Sequence, residues 1–243
     1  VPLPYLQRAN EAISGLRGFA QTIMKESLES DTPNMIKRMQ ENDFSSDTIC
    51  DHILTFFIAG HETTANSLFF TFMLLRDHPE YSSKLKTEVC ALEGEINRQS
   101  IDTLETLDCI IKESLRLYPT IPLFPRIAKE DDTLGEFQVK KGDMIAFSPF
   151  IMHRSEKYWE NPLKFYPERF IGKKFEKNFI YFPFGLGPRK CIGATLSTLQ
   201  MKKIIFYIFK NFDFEIEGPN REDFIHNVSL SPSEDVYLRF LKN

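Results

Sequence analysis

The sequence has few cysteines and spreads them widely. Cys50, Cys90, Cys109 and Cys191 form no C-x-x-C pair and no dense framework. That excludes a disulfide-stapled scaffold and suits free thiols in a reducing, intracellular compartment. An excess of positive charge is also lacking. Thirty Lys and Arg stand against 34 Asp and Glu, for a net charge of −4, which argues against nucleic acid as the main partner. No long hydrophobic run is uninterrupted. The most apolar stretch, Ile53 to Leu75, contains His61, Glu62, Thr63, Thr64 and Asn66. A bilayer core accommodates such a cluster only at high cost, so the stretch reads as a buried helix. There are no repeats, low-complexity tracts or linkers, and no signal peptide opens the chain.

What is present suits one large domain over 1–243. Apolar residues make up 42% and phenylalanines number 23, enough for a large aromatic core. The first third reads as helical. Helices are expected over Leu6–Leu28, from Pro33, over Asp47–Asp77, from Pro79 to Leu92, and over Thr103–Leu117. Pro33 and Pro79 suit first helical positions, and Ser45, Ser46 and Asp47 offer a cap. Further on, Phe137–Phe147 alternates around Lys141-Gly142 and reads as a hairpin. Irregular proline-rich chain follows to about Pro188. A helix is expected over Ile192–Lys210, then strands over Phe212–Ile216 and around Val228 and Val236. The order, helix-rich first and strand-rich later, indicates an α+β fold that is mainly helical.

The strongest chemical signal is the run Phe184-Gly185-Leu186-Gly187-Pro188-Arg189-Lys190-Cys191-Ile192-Gly193. It puts a cysteine at a helix start, behind a glycine-rich loop. Helix N-terminal amides favour negative charge on sulfur. The glycines let backbone approach the sulfur closely, Gly193 leaves room for a flat ligand, and Arg189 suits an anionic group on it. A lone cysteine in a glycine-rich turn is more often structural, but ten residues in one pattern outweigh that reading.

The second signal is Ala59-Gly60-His61-Glu62-Thr63-Thr64, inside the long helix. Gly60 weakens the helix locally and a threonine hydroxyl can bend it, which leaves an acid and an alcohol side by side in a groove. Such a pair suits a proton relay. A zinc hydrolase is excluded here, because Ala65 occupies the second histidine position of H-E-x-x-H. The third signal is Glu113-Ser114-Leu115-Arg116, with acid and base on one helix face, and the downstream run Pro167-Glu168-Arg169-Phe170.

Together these runs resemble the cytochrome P-450 family: F-x-x-G-x-R-x-C-x-G, A-G-x-[DE]-T-T, E-x-x-R and P-E-R-F are all filled. The resemblance covers nearly the whole chain but only the C-terminal half of a family member. With Val1 in place of an initiator Met, it implies a fragment. It implies the cytochrome P-450 fold and a haem-thiolate monooxygenase. Such an enzyme inserts one atom of O2 into a lipophilic substrate with NAD(P)H electrons, delivered by a flavin or ferredoxin-type donor. The cofactor would be haem b, with Cys191 as iron ligand. Arg189 and Arg126 would meet the propionates, and Phe184 would shield the sulfur. Gly185, Ile192 and Gly193 would border the ring on one face, and Ala59, Gly60 and Thr63 on the other. Thr63 would orient dioxygen, with Glu62 bringing protons. Thr55, Ala59, Ile121 and Phe124 would line the substrate pocket, as would the stretch near Ser229 and Leu230. Glu113, Arg116 and Arg169 would form a network that locks the cysteine loop.

Within the same resemblance, a peroxygenase, an isomerase and an incomplete or inactive fragment stay open. Departures occur at Leu196, Ser197 and Gln200, where family chains often show Phe-Ala and then Glu. Lys173, Lys174, Lys177, Lys190, Lys202 and Lys203 form a basic cluster suited to an acidic electron donor. Membrane attachment would come through a preceding N-terminal part.

Overall fold

The computed structural model describes residues 4–172, 175, 179–220 and 223–241. Its contacts divide the chain into two compact units, Val1–Glu62 and Thr63–Asn243. The helix α3 (Ser46–Asp77) contributes to both.

The first unit holds α1 (Pro4–Glu29), α2 (Met35–Glu41) and the start of α3. Ala20, Ile49 and Cys50 are its buried apolar residues. α2 begins at Met35, not at Pro33, and is capped by Asn34. The Asn34 side chain accepts the Lys37 backbone N–H at 3.0 Å, so Pro33 is left just ahead of the cap.

The second unit is built on the rest of α3, α4 (Pro79–Ala91), α6 (Glu105–Leu117) and α8 (Ala194–Asn211). The C-terminal turns of α3 bury Phe70, Met73 and Leu74. They form one core with Leu85 and Val89 of α4, Leu107, Ile110 and Ile111 of α6, and Met201 and Ile205 of α8. Their spacing of three and four residues is what a helix needs to present one apolar face. A short α5 (Arg98–Asp102) precedes α6 as a separate helix. Asn97 and Ser100 cap its start reciprocally, Thr103 caps its end, and Leu104 takes extended backbone, so α6 begins at Glu105 and not at Thr103. A further short helix, α7 (Pro149–Met152), lies in the stretch expected to be irregular.

The strands among the described residues form four antiparallel pairs. β1 (Phe124–Ile127) pairs with β4 (Met144–Phe147), and β2 (Asp132–Leu134) with β3 (Phe137–Val139). β5 (Phe214–Glu217) pairs with β8 (Tyr237–Phe240), and β6 (Phe224–His226) with β7 (Leu230–Pro232). The hairpin expected over Phe137–Phe147 is therefore two half-hairpins. Gly135, at φ +61°, makes the tight turn between β2 and β3. The Lys141-Gly142 corner folds back on Ala128 and on the Asp131 carboxylate, which accepts from the Lys141 N–H, and this frees β4 to pair with β1. Val228 lies between β6 and β7 and is exposed, not in a strand. The fold is α+β and mainly helical. None of the described helices is long and apolar enough to cross a membrane.

Candidate active site

The run from Phe182 to Gly193 is a folded loop, not an open turn. Phe182 O accepts from Gly185 N at 3.0 Å, and Phe184 O accepts from Cys191 N at 2.9 Å. Gly185 and Gly187 take φ of +71° and +65°, where a Cβ is strained. Gly187–Arg189 winds one 3-10 turn, and α8 begins at Ala194 with Gly193 as its cap. Cys191 thus stands three residues before the helix and not on its first turn. Lys190, at φ −57° and ψ 142°, ends the 3-10 turn in extended backbone and separates it from α8. The Cys191 side chain is exposed. A Cβ built on Gly193 would lie 3.7 Å from its Sγ, so the residue there borders the sulfur directly. Ile192, the chain neighbour of Cys191, is 83% exposed and Leu196 61% exposed, so apolar side chains close to Cys191 in the chain are open to solvent.

Phe124, at the start of β1, reaches this loop: a Cβ on Gly185 would meet its ring at 3.8 Å. Arg126 stands two residues along the same strand, exposed, with its guanidinium on the Pro125 carbonyl at 2.8 Å. Arg189 is exposed and Phe184 half-buried. Thr63 is half-buried, and its carbonyl accepts from Ser67 Oγ at 2.9 Å and Thr120 Oγ1 at 3.3 Å. Its neighbour Thr64 shares a hydrogen bond with Ser197 of α8 at 3.1 Å. The serine that departs from the usual family residue therefore ties α3 to the helix after Cys191. Thr55, Ala59, Gly60 and Glu62 belong to the first unit and are exposed on α3. Ile121 is half-buried, and Ser229 and Leu230 are buried, with Leu230 N donating to Thr120 O at 2.8 Å.

Glu113, Arg116 and Arg169 meet in the interior. Arg116 grips both oxygens of Glu113, Nε to Oε2 at 2.7 Å and Nη2 to Oε1 at 2.9 Å. Its other N–H groups donate to the carbonyls of His153, Pro162 and Lys164. Arg169 Nε donates to Glu113 Oε1 at 3.0 Å, from the 3-10 turn Pro167–Phe170. The planar fork of arginine suits this site because one side chain must reach a carboxylate and three carbonyls at once.

A cavity of about 300 Å³ opens beside the cysteine loop, bordered by Phe184, Gly185, Lys190, Lys112, Lys202 and Asp102 among others. Lys202 is not a free charge there. Burial works to lower its pKa, but the carboxylates of Asp108 at 2.8 Å and Asp102 at 3.1 Å outweigh that and raise it. It therefore drops out of the basic cluster expected for docking. Lys190 and Lys203 are exposed, while Lys173, Lys174 and Lys177 lie outside the described residues.

His153 has no ligand spacing in the sequence, yet it lies fully buried between the Arg116 carbonyl and the Phe182 N–H. No local pattern marks it, because both partners are distant in the chain.

Among the described residues, no three His, Cys, Asp or Glu gather to hold a metal. A lone exposed thiol suits a metal that brings its other ligands with it, as a porphyrin does. With apolar neighbours and two exposed arginines for its acids, the residues present fit haem.

Comparison with known proteins agrees. The cytochrome P450 family model matches residues 5–240. A cytokinin hydroxylase of Arabidopsis thaliana is 38% identical over 78% of the chain and 38% of its own length. Cytochrome P450 4V2 of Homo sapiens is 32% identical over 82% of the chain and 39% of its own length. A crystal structure of the cytochrome P450 CYP102L1 superposes with a TM-score of 0.83 at 27% identity, covering 93% of this chain and 56% of that one. The chain thus spans about two-fifths of the length of such curated relatives. Matched along almost all of its residues, it belongs to the cytochrome P450 family.

Proposed function

We propose that this chain is the haem-binding portion of a haem-thiolate monooxygenase acting on a lipophilic substrate. The observation that carries this reading is the exposed Cys191 thiol, held by the Phe184–Cys191 backbone bond beside Gly193, where any added Cβ would touch the sulfur. Bound there, haem would supply the activation of dioxygen, with Cys191 as its thiolate ligand. The chain supplies position and protons. Cys191 binds the iron, Arg189 and Arg126 hold the propionates, and Phe184 covers the sulfur. The Thr63 hydroxyl and the Glu62 carboxylate hold and pass protons. Because the Thr63 carbonyl is tied to Ser67 and Thr120, its hydroxyl sits on anchored backbone. Thr55, Ala59, Ile121 and Phe124 supply pocket surface. Glu113, Arg116 and Arg169 keep the loop in place. Residues 1–243 act as a single haem-binding domain. The exposed Lys190 and Lys203 receive an acidic flavin or ferredoxin-type donor, which passes on electrons from NAD(P)H. The reaction is intracellular.

The test is isotopic. The protein at its natural length, loaded with haem, is given a reductase, NAD(P)H and ¹⁸O2 with a panel of lipophilic compounds, which includes cytokinins because a relative is a cytokinin hydroxylase. One labelled oxygen per product, lost in Cys191→Ala, supports the reading. Turnover with peroxide alone and no label from O2 makes the protein a peroxygenase.

A further inference from the structure

Among the described residues, the Glu113–Arg116–Arg169 network shares no direct side-chain hydrogen bond with the cysteine loop. The link runs through His153, the residue that caps α7. Its side chain has 0% exposure. Nδ1 lies 3.2 Å from the Arg116 carbonyl, and Nε2 lies 2.9 Å from the Phe182 backbone nitrogen. Phe182 N–H can only donate, so Nε2 must accept. The Arg116 carbonyl can only accept, so Nδ1 carries the hydrogen. One neutral tautomer satisfies both bonds at once. The pairing is also reciprocal, since Arg116 Nη1 donates to the His153 carbonyl at 2.6 Å. From Phe182 the path continues through the backbone bonds of Gly185 to Phe182 and of Cys191 to Phe184. The rings of Trp159, Tyr181 and Phe182 wall the imidazole.

We propose that His153 is a positioning residue for the thiolate: its imidazole transmits the fixed geometry of Arg116 to Phe182 and so sets where the Phe182–Cys191 loop presents its sulfur. This rests on the reading of Cys191 as the haem ligand. The neutral form is the one the surroundings favour. Burial pushes the His153 pKa down to about 3, despite the bond to the Arg116 backbone.

The test compares His153→Gln, His153→Asn and His153→Phe in the natural-length holoprotein. A glutamine amide oxygen falls near the place of Nε2 and can accept from Phe182 N–H. An asparagine falls near Nδ1 and cannot reach Phe182, and phenylalanine keeps the shape but neither bond. Two readouts apply: backbone hydrogen exchange of the peptide 180–191, and the reduced carbon-monoxide spectrum. The expected result is about fivefold faster exchange in this peptide for Asn and Phe, as loss of one buried hydrogen bond implies. Part of their carbonyl band should also shift away from the thiolate position. Gln should match the wild type in both. Wild-type exchange and spectra in all three folded variants would overturn the proposal, as would a Gln variant as perturbed as Phe. Should Phe fail to fold, the contrast between Gln and Asn decides. If the wild type itself lacks the thiolate band, the ligation reading falls, and the exchange rates alone judge the loop role.

Discussion

Arg169 Nε donates to Glu113 Oε1 at 3.0 Å across 56 residues of chain, and the two side chains are 8% and 0% exposed. One carboxylate therefore carries two buried guanidiniums, and the tie fixes the turn Pro167–Phe170 against α6.

Removing that carboxylate leaves two buried cations with carbonyl partners only and no counter-charge. Glu113→Ala should cost about 3–5 kcal/mol, the range for breaking a buried ion pair from one side. Arg116→Lys should cost nearly as much, since a lysine brings three donors to a site where Arg116 donates five bonds. Denaturant midpoints and haem retention on gel filtration check both.

Acid should weaken the protein through His153. Its folded pKa of about 3 lies below the ordinary 6.5, so the unfolded chain takes up the proton first. The contribution is intact above about pH 6.5 and is lost as pH falls toward 3, at up to about 1.4 kcal/mol per pH unit. Arg116 and Arg154 are the charged groups that face it, and both oppose its protonation. His153→Gln should flatten the fall of the urea midpoint between pH 6 and pH 4.

The cysteines should sort by reactivity. Cys90 and Cys191 are exposed, Cys50 and Cys109 buried, and burial pushes Cys109 up to about 11. With haem bound, alkylation at pH 8 followed by mass spectrometry should mark Cys90, spare Cys109 and Cys50, and spare Cys191 until haem is stripped.

Thr63→Ala removes a hydroxyl while leaving the carbonyl bonds to Ser67 and Thr120 in place. The variant should fold and bind haem as the wild type does, yet release a severalfold larger share of reduced oxygen as peroxide. Equal coupling of NAD(P)H use to product in both proteins would remove Thr63 from the relay.

Charge reversal separates the lysines. Lys190→Glu and Lys203→Glu should raise the KM for the electron donor and reduce its dependence on salt. Lys202→Met should leave both unchanged and lower stability, because Lys202 is held by Asp102 and Asp108.

How much of this the sequence carries depends on the range of the interaction. The helices α3, α4, α6 and α8 are legible because their apolar spacing and their proline and polar ends are local signals. The contiguous motif around Cys191 is legible for the same reason, as are Glu113 and Arg116 on one helix face. The pairing of β4 with β1 is not, because the competing strand lies some twenty residues upstream and alternation cannot name a partner. His153 and Ser197 are silent for a like reason: each acquires its role from groups brought near only by the folded chain. Lys202 reads as surface charge until Asp102, a hundred residues away, arrives beside it.

The central claim is that Cys191 ligates haem iron through its sulfur. The measurement is the reduced-plus-carbon-monoxide difference spectrum of the natural-length protein, wild type against Cys191→Ser, with haem content and far-ultraviolet circular dichroism matched. The account predicts the strongly red-shifted Soret band of a thiolate carbonyl complex in the wild type and its absence in the variant. A folded, haem-loaded wild type without that band, or a Cys191→Ser protein that keeps it, contradicts the account.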